Sequence, residues 1–139
     1  MKKICILGLG YIGLPTASIL CENGYNVIGV DTNPVVLKKI KENKHIEKEP
    51  FLNDLVDKSI KSGRLKLKQT PSKSDVYIIC TPTPVSFSRK VGVPDLSHVY
   101  SAINSIIHLL KPADILIIES TIPVGTTKEI KKLVVKYNS

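Results

Sequence analysis

A chain of 139 residues, 42% hydrophobic and 23% charged, can bury one core and is short for two, so residues 1–139 are read as one domain. Its apolar runs, Val76 to Cys80 and Ile115 to Ile118 among them, fall far short of a membrane span, and Met1-Lys2-Lys3 passes straight into the strand-like Ile4-Cys5-Ile6-Leu7, so neither a leader nor an anchor is expected. A net charge of +8 raises the question of nucleic acid, but only Arg64 and Arg89 among the 20 basic residues are arginines, the lysines are interleaved with acids and few aromatics accompany them; a solvated lysine-rich surface is expected instead.

The first element is an apolar, β-branched run from Lys3 to Leu9 that ends in glycine. Gly8-Leu9-Gly10-Tyr11-Ile12-Gly13 follows the G-x-G-x-x-G spacing, and a helix from about Tyr11 to Asn23, closed by Gly24, comes next. Pro15 falls in the first turn, where N–H groups have no intrahelical partner to lose. A glycine motif alone is weak evidence. Between a strand and a helix, Gly8 can make the tight turn, Gly10 can admit a pyrophosphate and Gly13 lets helix and strand pack closely, with the N–H groups of Tyr11 and Ile12 facing phosphate.

A second buried strand, Asn26 to Asp31, ends in an acid. Asp31 stands where this fold hydrogen-bonds the adenosine ribose; with Thr32 and Asn33 after it and no arginine for a 2′-phosphate, NAD is favoured over NADP. An ordinary capping acid ahead of Pro34 is the competing reading of Asp31.

Pro34 opens a helix carrying Val35, Val36, Leu37 and Ile40, and Phe51 to Ser62 carries Leu52, Leu55, Val56 and Ile60 on one face, with Gly63 after it. Leu65 and Leu67 alternate with lysines as in an edge strand, and Val76 to Cys80 is a buried strand. Pro82 to Pro94, with three prolines and a glycine, is read as a loop. Asp95 or Ser97 can cap a helix whose apolar residues run from Val99 to Leu110, before Pro112. Ile115 to Glu119 is a strand and Thr126 to Tyr137 the last helix. This alternation predicts an α/β fold of Rossmann type: a doubly wound parallel sheet with helices on both faces.

Two loops leave strand carboxyl ends, where open α/β sheets bind ligands: Thr81-Pro82-Thr83-Pro84 and Ser120-Thr121-Ile122-Pro123-Val124-Gly125. Their hydroxyls suit a ribose, a water or a sugar, and equally an ordinary turn. Cys5, Cys21 and Cys80 lie in apolar stretches too far apart for a zinc or redox pair, which reads as three reduced thiols in a cytoplasmic protein with no metal site.

Taken together, Gly8 to Thr16, Gly29-Val30-Asp31, Cys80 to Pro84, Pro94-Asp95-Leu96 and Glu119 to Thr127 resemble the N-terminal domain of the UDP-glucose/GDP-mannose dehydrogenase family, in order and over nearly the whole chain. Glu119-Ser120-Thr121 is most similar to members that act on UDP-N-acetylmannosamine, whereas those acting on UDP-glucose usually have a basic residue in place of Glu119. The resemblance implies oxidation of a sugar 6-hydroxymethyl to a carboxylate by two NAD molecules. It further implies that Thr83 lies in the cofactor site, that Thr121 is catalytic and also borders the cofactor, and that the whole enzyme is a homo-oligomer. The catalytic cysteine and the sugar-binding part would lie after Ser139, so the chain is expected to be a fragment that does not turn over a UDP-sugar by itself. It departs from the family pattern between Lys41 and Lys48, which lacks a glycine, and near Val36, where some relatives have a basic residue. His45 reads as a solvated loop residue. Two rival readings share the fold: a nucleotide-binding regulatory module, and a reductase of 2-hydroxy or β-hydroxy acids. The Thr-Pro-Thr-Pro and Glu-Ser-Thr loops favour the nucleotide-sugar dehydrogenase.

Overall fold

A computed structural model of the chain describes residues 2–44, 50–88 and 91–137; His45 and the second half of the Lys41–Lys48 stretch lie outside them. The elements run β1 (Lys3–Leu7), α1 (Gly13–Glu22), β2 (Asn26–Val30), α2 (Pro34–Lys41), α3 (Pro50–Lys61), β3 (Leu65–Lys68), β4 (Val76–Ile79), β5 (Val85–Ser88), β6 (Val91–Pro94), α4 (Ser97–Ile106), β7 (Ile115–Ile118) and α5 (Thr126–Tyr137).

Five strands form one parallel sheet in the order β3-β2-β1-β4-β7. Side chains alternate between its faces, and the helices cover both. Ile4, Ile6, Val27, Val76 and Ile78 pack with Leu14, Ala17 and Cys21 of α1, Leu37 and Ile40 of α2 and Val56 of α3. Cys5, Leu7, Tyr77 and Ile79 face Val99, Ile103 and Ile106 of α4 and Ile130 of α5. Each fully buried Ile or Leu contributes about 1.5–3 kcal/mol, so this two-sided burial fixes the register of the central strands β1, β2 and β4.

Helix ends follow local chemistry. Gly24, at φ +91°, turns the chain out of α1 as its N–H donates to Cys21 O at 3.0 Å and that of Tyr25 to Leu20 O at 3.0 Å. Asn33 caps α2, its Oδ1 accepting from Val35 N at 2.9 Å, and Asp95 Oδ1 accepts from Ser97 N at 2.9 Å before α4.

Two expectations need correction. The Pro82–Pro94 segment is not all loop: β5 and β6 pair antiparallel, Val85 opposite Pro94 and Ser86 opposite Val93, and Asp95 N closes the base on Pro84 O at 2.7 Å. Proline lacks a donor but is tolerated at the end of a two-stranded ribbon, so the prolines bracket the hairpin instead of abolishing it. The first helix begins at Gly13 and not at Tyr11, because the glycine turn occupies the residues between. The last strand, β7, lies at the sheet edge; Leu116 and Ile118 pack inward while Ile115 and Ile117 stay 43% and 42% exposed.

Candidate functional site

The strand order reverses between β1 and β4, since the chain runs outward through β2 and β3 and then returns to the other side of β1. The crevice at such a reversal, beyond the carboxyl ends of the strands, is where open α/β sheets hold ligands. The Gly8–Gly13 turn leaves β1 there, and Thr81 leaves β4.

The three glycines have different reasons to be glycine. Gly8 has φ +94°, and a Cβ on it would meet Cys80 O at 2.8 Å and Thr81 N at 3.0 Å. A Cβ on Gly13 would lie 1.8 Å from Gly8 O and 3.0 Å from Cys80 Cβ, so α1 can approach β1 and β4 only without one. Around Gly10 there is nothing within 4 Å. The protein's own packing does not demand glycine at that position, which leaves the turn open to an approach from outside. Tyr11, 87% exposed, and Ile12, 55% exposed, complete the turn, with Ile12 at the N-cap of α1, so their N–H groups precede the first intrahelical bonds and are available to an anion.

Asp31 closes the other side. Its Oδ2 accepts from Leu9 N at 3.1 Å and its Oδ1 from Asn33 N at 2.9 Å, so the carboxylate is oriented by both loops while each oxygen keeps acceptor capacity. Asn33, and not Asp31, caps the following helix. Leu9, Gly10, Tyr11, Leu14, Asp31, Val36 and Lys39 line one cleft of about 240 Å³. Lys39 escaped the sequence reading; it is a helical turn beyond Val36 on α2, and that i,i+3 spacing was the available signal. A larger cleft of about 460 Å³ adjoins it along α2, with Lys39 lining both, but there Glu42 already pairs with Lys38 at 3.8 Å and Lys44 at 3.1 Å. The smaller cleft is the candidate site, because of the two it alone holds the glycine turn and the acid.

The loops after β4 and β7 are stitched together. Ser120 Oγ donates to Thr81 O at 2.7 Å, and the N–H groups of Glu119 and Ser120 donate to Ile79 O at 2.9 and 3.1 Å. Thr83 is half-buried and Thr121 exposed on these loops, and neither side chain bonds to the glycine turn among the described residues. Thr81 Oγ1 is buried with no hydrogen-bond partner among the described residues. A buried hydroxyl in that state costs about 1–3 kcal/mol, a deficit that a ligand or water at the crevice can repair. The open approach to Gly10 and this hydroxyl both fit a dinucleotide laid across the switch point.

The cysteines are not nucleophiles. Burial pushes the Cys5 and Cys21 thiols up to about 11, and burial followed by the Glu119 carboxylate pushes Cys80 higher still, which leaves almost no thiolate near neutrality.

Residues 2–139 match the family model of the UDP-glucose/GDP-mannose dehydrogenase family, NAD binding domain. The chain is 49% identical to UDP-N-acetyl-D-mannosamine dehydrogenases of Methanococcus aeolicus and Methanocaldococcus jannaschii, in each case over 94% of its length and 30% and 31% of theirs. Thus it spans about a third of the length of these relatives. The native structure of the UDP-N-acetyl-mannosamine dehydrogenase from Staphylococcus aureus superposes with a TM-score of 0.92 at 35% identity, covering 99% of this chain and 34% of that one.

Proposed function

From the premise that this chain belongs to the UDP-glucose/GDP-mannose dehydrogenase family, as its NAD binding domain, we propose that it serves a UDP-N-acetylmannosamine 6-dehydrogenase, which oxidises the sugar C6 alcohol to a carboxylate. The observation that carries the cofactor site is Gly10, open on its outer side and sharing one cleft with Asp31. Gly8, Gly10 and Gly13 shape the turn, the N–H groups of Tyr11 and Ile12 meet the pyrophosphate, and Asp31 accepts from the adenosine ribose hydroxyls. Thr83 and Thr121 border the nicotinamide end, Thr121 acting where the reacting carbon meets the cofactor. Bound NAD supplies the hydride acceptor. The chain's own residues bind and orient it, and the Ser120 bond to Thr81 O keeps the Thr121 loop beside the crevice.

The choice of sugar is supported by Glu119-Ser120-Thr121 and by the similarity to enzymes named for UDP-N-acetylmannosamine. Sugar binding and the nucleophile belong, on this reading, to sequence after Ser139, and the whole enzyme is a homo-oligomer. Three reduced, buried thiols support a cytoplasmic setting. No described helix is long and apolar enough to cross a membrane.

The test is NADH formation with UDP-N-acetylmannosamine and UDP-glucose, by this chain alone and by a protein that continues past Ser139. The longer protein prefers the first sugar, the chain alone turns over neither, and Thr121→Ala in the longer protein lowers kcat more than NAD affinity. Turnover by the chain alone, or indifference to Thr121→Ala, overturns the assignment.

A further inference from the structure

Glu119 contacts α1, although 103 positions separate it from Thr16. The register sets Ile117 opposite Ile78, so two residues on, Glu119 emerges beside Cys80 on the face of the sheet that α1 covers. Thr16 Oγ1 donates to Glu119 Oε1 at 3.1 Å and to Oε2 at 3.3 Å. The Cys80 thiol donates to Oε2 at 3.2 Å. The Glu119 backbone N–H is held separately, on Ile79 O at 2.9 Å.

These bonds join three segments around the crevice. Thr16 is in the first turn of α1, three residues after Gly13, and moves with the glycine turn as one helical unit. Cys80 directly follows β4, and its Cβ would lie 3.0 Å from a Cβ on Gly13. Glu119 heads the loop that carries Ser120 and Thr121. A carboxylate accepts and never donates, so one group can receive both the hydroxyl and the thiol proton without rearrangement. Bonds to an ionised acceptor are also about twice as strong as neutral ones.

We propose that Glu119 is a positioning residue that couples the pyrophosphate-binding turn to the Ser120–Thr121 loop, through Thr16 Oγ1 on one side and Cys80 Sγ on the other. When the turn is ordered by cofactor, α1 is ordered with it, and the Thr16–Glu119–Cys80 link carries that order to the loop. This rests on the reading of Gly8–Gly13 as the NAD site. It adds that the two halves of that site respond together, and that Glu119 is what makes them do so. A basic side chain at this position would present donors to a hydroxyl and a thiol that now donate, so the link in its present form requires an acceptor there.

Amide hydrogen exchange of the chain with and without NAD tests the proposal. In the wild type, NAD slows exchange both at Gly10–Gly13 and at Ser120–Gly125. Glu119→Ala keeps the first effect and loses about tenfold of the second, the scale set by one hydrogen bond to a charged group at a partly exposed site. Thr16→Val, which keeps the shape of a half-exposed residue, gives the same pattern and serves if Glu119→Ala fails to fold. Glu119→Gln, whose amide oxygen still accepts from Thr16, restores most of the loop response. A merely structural tie would lower the denaturation midpoint of both variants and leave the NAD-dependent difference at Ser120–Gly125 intact; that result overturns the proposal. Slowing at Gly10–Gly13 with none at Ser120–Gly125 in the wild type also overturns it while the NAD site stands. No slowing at Gly10–Gly13 in the wild type overturns the NAD reading itself.

Discussion

The backbone N–H of Leu9 donates to Asp31 Oδ2 at 3.1 Å, which ties the glycine turn after β1 to the acid after β2. Asp31 thus orients the turn and bounds one end of the same cleft, the end proposed for the ribose. Asp31→Ala is expected to weaken NAD binding by about tenfold, the scale of one hydrogen bond to a charged group, and to weaken NADP binding less, because the repulsion of a 2′-phosphate goes with the carboxylate. Lys39 lines that cleft as well and, among the described residues, is the one cation in its lining. Titration of both variants, Asp31→Ala and Asp31→Ala/Lys39→Ala, with both cofactors separates the two contributions. Unchanged NADP discrimination in Asp31→Ala would remove Asp31 from the ribose site.

Gly13 and Gly10 should part company in stability. Gly13→Ala drives a methyl to within 1.8 Å of Gly8 O, where backbone cannot yield cheaply, so it destabilises the fold by at least the 1–3 kcal/mol or so of an overpacked core. Gly10→Ala meets nothing within 4 Å and leaves the denaturation midpoint close to wild type. Urea unfolding of both variants is the check, and a Gly10→Ala midpoint as low as that of Gly13→Ala would mean that Gly10 serves packing.

Alkaline stability follows from the thiols. Burial raises the folded-state values of Cys5 and Cys21 from 9.0 to about 11, and that of Cys80 shifts the same way. A raised value means that the folded state holds the proton more tightly than the unfolded one. The resulting stability is whole below pH 9 and is lost as pH rises toward 11. Denaturant midpoints measured across pH 8 to 11 should therefore fall, and Cys21→Ala should flatten part of that slope. In the native chain at pH 8 a thiol reagent should react far more slowly than in denaturant; fast native labelling would contradict the burial argument.

Much of this site was legible in the sequence because its signals are local. The glycine spacing, the apolar run before it and the acid closing the next strand all lie within the first 31 residues. The helix end at Gly24 was readable for the same reason, whereas α2 takes its cap from Asn33 and α4 starts from Leu96, neither of which the sequence singled out. What stayed hidden depends on pairing across distance. The prolines around Val85–Ser88 and Val91–Pro94 spoke for a loop, and only the partner strand reveals the hairpin. The exposed faces of Ile115 and Ile117 depend on β7 being at the sheet edge, and an apolar run reads the same at an edge as in the middle. Glu119 meeting Thr16 and Cys80 is set by the β4–β7 register, which no local pattern specifies.

The most direct test of the account is calorimetric titration of this chain with NAD, for wild type and for Gly10→Val. The proposed site takes the open space at Gly10 as the cofactor's approach, so a branched side chain there, whose Cβ meets nothing within 4 Å, is expected to block the pyrophosphate. The account predicts saturable one-site binding by the wild type, and no measurable binding by Gly10→Val at an unchanged denaturation midpoint. Failure of the wild type to bind NAD, or equal affinity in a folded Gly10→Val variant, would contradict it.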